Sequence, residues 1–543
     1  MHQRYVSRLS SVVLFIIGIS LPAFALRQER LIDAWRPTHY DVTLSISSSL
    51  TELSSARAEI QIVALKTLSL IDLDFGNLTI DSVLVNGSPV SFDHSDEKLA
   101  IKLPSALPAS ARANVTVTYH GKPTDGLIFK ADRDGKPSIV GDNWPNRVHY
   151  WIPSFDHPSA KATVTFKVTA PAGNLVVANG RFRSVETGAD GTRTWTYNEG
   201  VPIPPYCMVI GVGDFAKLSP REPTITPLSY YVSSSDRSYA LKGFAPANPV
   251  LQMFSELVGP YPYEKLDLII GATQFGGMEN SSAIVFPQML FTRLDGKSSR
   301  TFGIPESIEA VVAHEIAHQW FGDSVTESTW ADLWLSEGFA TYFAGLFLEQ
   351  HDGEEAFQAY MNKAAETAIK FAKRSETPIH DRVTPRLFDL LNANNYQKGA
   401  WVLHMLRERL GDAVFFRAVR TYYATHKDST ATTEDLRSAM EKASGMNLRQ
   451  FFQRWVYEGG CPRYEVKWQW LSKTKNVTVS LTQGQSGNLF ADPVPITINT
   501  PAGKIKEIIT PGDKTTSITV HSSKRPTGVT IDPQNTLLKE VVE

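Results

Sequence analysis

The chain has 543 residues, of which 42% are hydrophobic and 20% charged, with a net charge of -2. That composition belongs to a globular protein and excludes a disordered, collagenous or multi-span membrane one. With 54 basic and 56 acidic residues there is no basic surplus for nucleic acid, and two cysteines exclude a disulfide scaffold or a multi-cysteine metal module.

Residues 1–25 stand apart. Arg4 and Arg8 precede an apolar run at 12–21, and Ala23-Phe24-Ala25 is a small-x-small cleavage motif. This predicts a secretory signal peptide removed after Ala25. The apolar run is shorter than the roughly 20 residues a spanning helix needs, so no stable membrane insertion is expected after cleavage. The expected mature protein is exported, either periplasmic or secreted.

From about residue 40 to 215 the pattern is that of strands. Ala162, Val164, Phe166 and Val168 alternate with Thr163, Thr165, Lys167 and Thr169, the period of a half-buried strand. Similar runs lie at 40–46, 58–64, 114–119 and 206–212, with turns at Asn86-Gly87 and Asn179-Gly180. Pro220, Pro223 and Pro227 interrupt the pattern, since proline removes ladder donors and resists helix. Leu266, Leu268 and Ile270 then alternate in one more strand before the texture turns helical. One helix is expected to open at Pro305. Another should open near Thr432, where Asp435 completes a capping box, and the last should stop at Gly459-Gly460. Strands return at 464–470, 476–482, 494–499 and 517–520. The expected fold is α+β and multidomain: an antiparallel β-domain over 26–218, a mixed α/β domain ending in helices over 219–460 and a small β-sandwich-like domain over 461–543.

Within the helical region His314-Glu315-Ile316-Ala317-His318 is a His-Glu-x-x-His motif. Four residues are just over one helical turn, so both imidazoles project from one face and can bind one Zn²⁺. Glu315 sits where it can hold a water. A catalytic zinc needs a third protein ligand and an open fourth position. Eighteen residues beyond His318, Glu337 stands among apolar residues at helical spacing and would point into a core unless it served a metal. One zinc per chain, with hydrolysis by zinc-activated water and Glu315 as general base, is the chemistry such a set supports. In Gly276-Gly277-Met278-Glu279-Asn280 the glycines let a peptide lie close to the backbone. Glu279 offers an anion for a protonated amino terminus, although the same residues also describe a plain turn with a surface Glu.

These motifs resemble the zinc aminopeptidases of the aminopeptidase N family, within the gluzincins. The resemblance rests on His314-Glu315-x-x-His318 with Glu337, on Trp320-Phe321-Gly322, and on the run from Trp334 to Tyr342, where Ser336 replaces the commoner Asn. It implies a thermolysin-like catalytic domain and peptide substrates with a free N-terminus. It also implies that Gly276, Gly277, Met278, Glu279 and Asn280 bind substrate, Glu279 by its ammonium, and that the Tyr396 phenol donates to the oxyanion. Unaided by the family, Tyr396 reads as a helix-start residue packing its ring.

Relatives take a second amine anchor, Gln or Glu, from the N-terminal domain. Here the stretch reads Gly141-Asp142-Asn143-Trp144-Pro145, so either Asp142 or Asn143 substitutes, or this is a turn around a packed Trp144. The large helical C-terminal domain of many relatives has no expected counterpart in the residues after Gly460, which would leave the site more open. Cys207 and Cys461 pair after export or remain separate thiols. The rival readings are a gluzincin endopeptidase, a related epoxide-opening hydrolase and an inactive peptide-binding protein. The intact metal set and Glu279 argue against the last and the first. The preferred first residue and the oligomeric state have no signature in the sequence.

Overall fold

The computed structural model describes residues 26–295, 300–301, 304–305 and 307–542; the expected signal peptide lies outside them. Alternating apolar and polar residues bury one side of Trp35–Ile46, Leu53–Ala64 and Ala162–Ala170. These strands form the middle of an eight-stranded sheet. Its order is Arg181–Thr187, Arg193–Ile203, Ala162–Ala170, Trp35–Ile46, Leu53–Ala64, Arg112–Gly121, Thr79–Val85 and Ser88–Pro89. Neighbours are antiparallel except Trp35–Ile46 and Ala162–Ala170, which run parallel with His39 opposite Thr163. A parallel pair needs a long crossover, and the intervening strands provide it. Asn86 and Gly87 both take positive φ (50° and 81°) in the hairpin that joins Thr79–Val85 to Ser88–Pro89.

The strand expected at 206–212 is shorter. Pro205–Cys207 makes a 3-10 turn, and only Ile210–Gly213 is extended, because Pro204 and Pro205 withhold backbone donors.

The next sheet runs Ala216–Leu218, Leu228–Val232, Leu266–Gly271, Ala283–Pro287. Its first strand, Ala216–Leu218, pairs with Leu228–Val232 across the proline break, so by pairing the second sheet starts ahead of that break. Leu266–Gly271 pairs in parallel on both sides and is buried on both faces, as parallel strands covered on each face are. Leu266, Leu268 and Ile270 face the main core, while Ile269 faces a smaller cluster with Met278 and Val285.

Two helices then cross. The first, α1, is Ile308–His318, and the second, α2, is Trp334–Asp352. Helix α1 opens on Ser307, whose hydroxyl accepts from the Ala310 amide at 3.2 Å. Pro305, expected at this position, belongs instead to the strand Ile304–Pro305. Both helices are apolar almost all round and accordingly buried on nearly every face. The capping box at Thr432 is present, with Asp435 and Thr432 exchanging hydrogen bonds. The last helix, Arg449–Trp455, ends before Gly459. A Cβ at Gly459 would sit 1.9 Å from the Glu376 carbonyl, so that glycine serves close backbone packing and is not a helix stop.

Two small sheets follow. They contain Arg463–Leu471 with Asn476–Gln483, and Val494–Thr500 with Gly503–Ile509. Their inner residues, among them Tyr464, Leu481 and Ile496, share one core with the helices. The N-terminal domain has its own core, and Val140, Trp144, Tyr206, Met278, Val285 and Trp330 form the seam between the two. Across that seam the Lys161 ammonium donates to the carbonyls of Asp323 and Ser324, both at 2.7 Å. No helix among the described residues is long and apolar enough to cross a membrane.

Candidate active site

His314 and His318 project from one face of α1, and Glu337 meets them from the first turn of α2. The two Nε2 atoms are 3.1 Å apart, and Glu337 Oε2 lies 3.3 Å from His314 Nε2 and 3.4 Å from His318 Nε2. Donors bound to zinc at about 2.05 Å with tetrahedral angles lie about 3.3 Å from one another, so the three fit a zinc ion. Glu337 Oε2 is buried and accepts no hydrogen bond, which leaves its lone pairs for a cation. Among the described residues no other group of His, Cys, Asp and Glu converges in this way.

The shell behind these ligands sets their orientation. His318 Nδ1 lies 3.2 Å from the Phe321 carbonyl and 3.0 Å from Ser336 Oγ. A carbonyl only accepts, so Nδ1 carries the proton and Nε2 keeps its lone pair for the metal. Ser336, where relatives commonly have Asn, thus touches a ligand directly. Gly322, at φ +120°, makes room, since a Cβ there would fall 2.3 Å from Ser336 Oγ. Burial alone would raise the Glu337 carboxyl, but the two imidazoles outweigh it and hold the group at about 2. The same pairing draws His318 upward, against burial.

Glu315 follows His314 on α1 and is buried at the edge of a pocket that two of the three ligands, His314 and Glu337, also line. Gly277 lies against it. A Cβ on residue 277 would sit 2.3 Å from the Glu315 carboxyl carbon, so the glycine makes space for that carboxylate. Gly277→Ala is therefore expected to push Glu315 aside and lower turnover about 100-fold while zinc content and melting temperature stay near wild type. Steady-state kinetics with metal analysis on the purified variant checks this, and unchanged turnover would contradict it.

Met278 exchanges backbone hydrogen bonds with Val285 at 2.7 and 2.9 Å, so this segment runs as an extra edge beside Ala283–Pro287. Gly276, Gly277, Met278 and Glu279 all line the pocket. Asn280 does not. It is fully buried, and its amide turns back to the Met278 carbonyl at 3.3 Å. Burial, with the negative charge of Glu337 added, pushes the Glu279 carboxyl up to about 7, against the opposing pull of His318. Gln319, not singled out by sequence reasoning, fixes this segment to α1. It donates to the Glu279 carbonyl at 2.8 Å and to Asp323 at 2.9 Å, and accepts from the Ser282 amide at 2.8 Å. A polar residue directly after the second histidine of an apolar helix was the available signal.

Tyr396 stands in a π-helical turn, Asn394–Lys398, and does not open an ordinary helix. Such turns frequently mark functional sites. Its ring stacks on His314 at 6.0 Å, and its hydroxyl donates to Glu337 Oε1 at 2.6 Å. Burial, and then Glu337, push the phenol far above its usual range, so it stays a donor. The remaining pocket walls are Trp144, Phe275, Val311, Leu391 and Gln397, none of which sequence reasoning had assigned to the site.

Neither proposed second anchor reaches the pocket. Asp142 Oδ1 accepts from Arg147 at 2.9 Å, and Asn143 is fully buried between the Met208 carbonyl and the Trp151 indole. Both side chains are occupied in shaping the turn that carries Trp144. Cys207 and Cys461 are separate buried thiols, and Cys207 Sγ lies 3.2 Å from Asp323 Oδ1.

Comparison with known families matches two stretches of the chain. Residues 36–207 match the peptidase M1 N-terminal domain, and residues 246–455 match the peptidase family M1 domain. The chain belongs to the peptidase M1 family. This M1 chain is 29% identical over 406 residues to the probable aminopeptidase 1 of Sulfurisphaera tokodaii, covering 72% of the chain and 50% of that protein. It is 26% identical over 455 residues to aminopeptidase N of Lactobacillus delbrueckii subsp. lactis, covering 80% of the chain and 52% of that protein. The M1 chain thus spans about half the length of the curated relatives it matches. The crystal structure of an M1 zinc metallopeptidase from Deinococcus radiodurans superposes with a TM-score of 0.66 at 26% identity, over 80% of this chain and 94% of that one. The mixed multidomain fold read from the sequence agrees with that structure.

Proposed function

We propose that this M1 chain is an aminopeptidase that removes the first residue from peptides with a free amino terminus, using one Zn²⁺ per chain. The observation that carries the reading is a three-donor metal cradle opening on a pocket lined by Glu315 beside it and by a second buried carboxylate, Glu279. His314, His318 and Glu337 would hold the zinc ion, which when bound would supply Lewis acidity toward the scissile carbonyl and lower the pKa of water. Glu315 takes a proton from the attacking water and passes it to the leaving amine nitrogen. Tyr396, still protonated, donates to the developing oxyanion. Glu279, at the end of the edge strand, pairs with the substrate's ammonium and so sets the cut at the first peptide bond. An endopeptidase would need no such partner.

The ammonium pair gives the reading a pH signature. Glu279 is an anion above about 7, and a peptide's α-amino group is a cation below about 7.7–8.0. KM should therefore be lowest between about 7 and 8. It should rise as pH falls and Glu279 takes a proton, and rise again as the amine loses one. Glu279→Gln should raise KM and remove the acid limb. A KM that is flat with pH and indifferent to that variant would count against the anchor.

We also infer export, periplasmic or secreted, from residues 1–25. N-terminal sequencing of the protein recovered from its native host should begin at Leu26; a retained Met1 would oppose it.

A further inference from the structure

We infer that Trp144 reads the substrate's first side chain, and that the pocket takes a large apolar or aromatic N-terminal residue; the inference rests on the aminopeptidase reading above. Trp144 is the only residue of the N-terminal domain among those lining the pocket. Its position is fixed from behind. Arg147 donates to the Trp144 carbonyl at 2.8 Å while its guanidinium holds Asp125 and Asp142, at 2.6 and 2.9 Å. With Asp142 and Asn143 turned into that scaffold, the side chain this turn delivers to the pocket is the Trp144 indole.

The indole belongs to an aromatic cluster of which Trp144 and Phe275 form the wall facing the pocket. Its ring meets Phe275 at 6.1 Å, Trp330 at 5.6 Å and Phe388 at 5.6 Å, each edge to face. Phe275 directly precedes the Gly276 to Glu279 segment, so the wall and the ammonium anchor are parts of one continuous edge. Met278, Val311 and Leu391 extend the apolar lining.

Charge excludes the other classes of side chain. Among the described residues the pocket is lined by three carboxylates, Glu279, Glu315 and Glu337, and by no Lys or Arg, so an acidic first residue meets like charge there. A basic one would bury its charge with no carboxylate to spare, because those three serve as anchor, base and ligand. Aromatic and large aliphatic side chains match the wall. In hydrophobic pockets a single methylene already changes kcat/KM by about 10–200-fold.

The test uses the zinc-loaded full chain and five aminoacyl fluorogenic substrates, carrying Phe, Leu, Ala, Lys and Glu. Wild type should turn over Phe and Leu with kcat/KM about 100-fold above Ala or more, with Lys and Glu below Ala. Trp144→Ala should lower the Phe-to-Ala ratio about tenfold or more, and Trp144→Phe should restore most of it. A wall that only supports the fold would lower all substrates alike and leave that ratio unchanged. That outcome, or a wild-type preference for Lys or Glu, would overturn the inference while leaving the aminopeptidase reading intact. If the alanine variant fails to fold, the wild-type profile and the Trp144→Phe ratio still decide. Hydrolysis of none of the five would overturn the aminopeptidase reading and this inference with it.

Discussion

Glu315→Gln is expected to retain one zinc per chain and to lose turnover by about 10²–10⁴-fold. Glutamine keeps the shape of the side chain but cannot accept a proton from water. Glu315 is not one of the three converging donors, which belong to His314, His318 and Glu337, so the cradle survives the change. Gly277 leaves room for an amide of the same size as the carboxylate, and repacking should be slight. Metal analysis beside single-turnover kinetics separates the two effects. Full zinc with substantial remaining activity would remove Glu315 from the role of base.

Tyr396→Phe is expected to lower turnover by about 10²–10³-fold, with KM within a few-fold of wild type. The phenol's bond to an oxyanion forms only as the carbonyl becomes tetrahedral, so its loss falls on the transition state. The structure adds a second measurement to this one. The hydroxyl also donates to Glu337 Oε1 at 2.6 Å, so the variant releases one oxygen of a metal ligand. If orienting Glu337 were the whole role of Tyr396, the variant would lose zinc affinity and excess zinc would restore activity. Retained zinc with low turnover supports the oxyanion role; a large KM change with intact turnover would make Tyr396 a substrate-binding residue.

The metal cradle was legible because its chemistry is local. His314 and His318 are one helical turn apart, and a carboxylate at 337 inside an apolar helix has few reasons to exist other than a cation. Strand patterning was legible for the same reason, as at Ala162–Ala170. Its parallel pairing with Trp35–Ile46 was not, because alternation fixes which face is buried and leaves direction open. Pro305 misled as a helix start because Ser307, two residues on, offered the capping oxygen. Most of the pocket wall was illegible. Trp144, Phe275 and Leu391 come from three separate loops, and only the packing of the N-terminal domain on the catalytic sheet brings them together. Asp142 and Asn143 looked like anchors by residue type, yet Arg147 and the Trp151 indole had prior claim on them.

Removal of residues one at a time from a free amino end is the central claim, and time-resolved mass spectrometry of a single decapeptide tests it most directly. The free peptide should yield a ladder of products shortened from the amino end, all of it abolished by chelator, and the amino-acetylated peptide should stay intact. Internal fragments at early times, or equal cleavage of the acetylated peptide, would contradict the account and make the enzyme an endopeptidase.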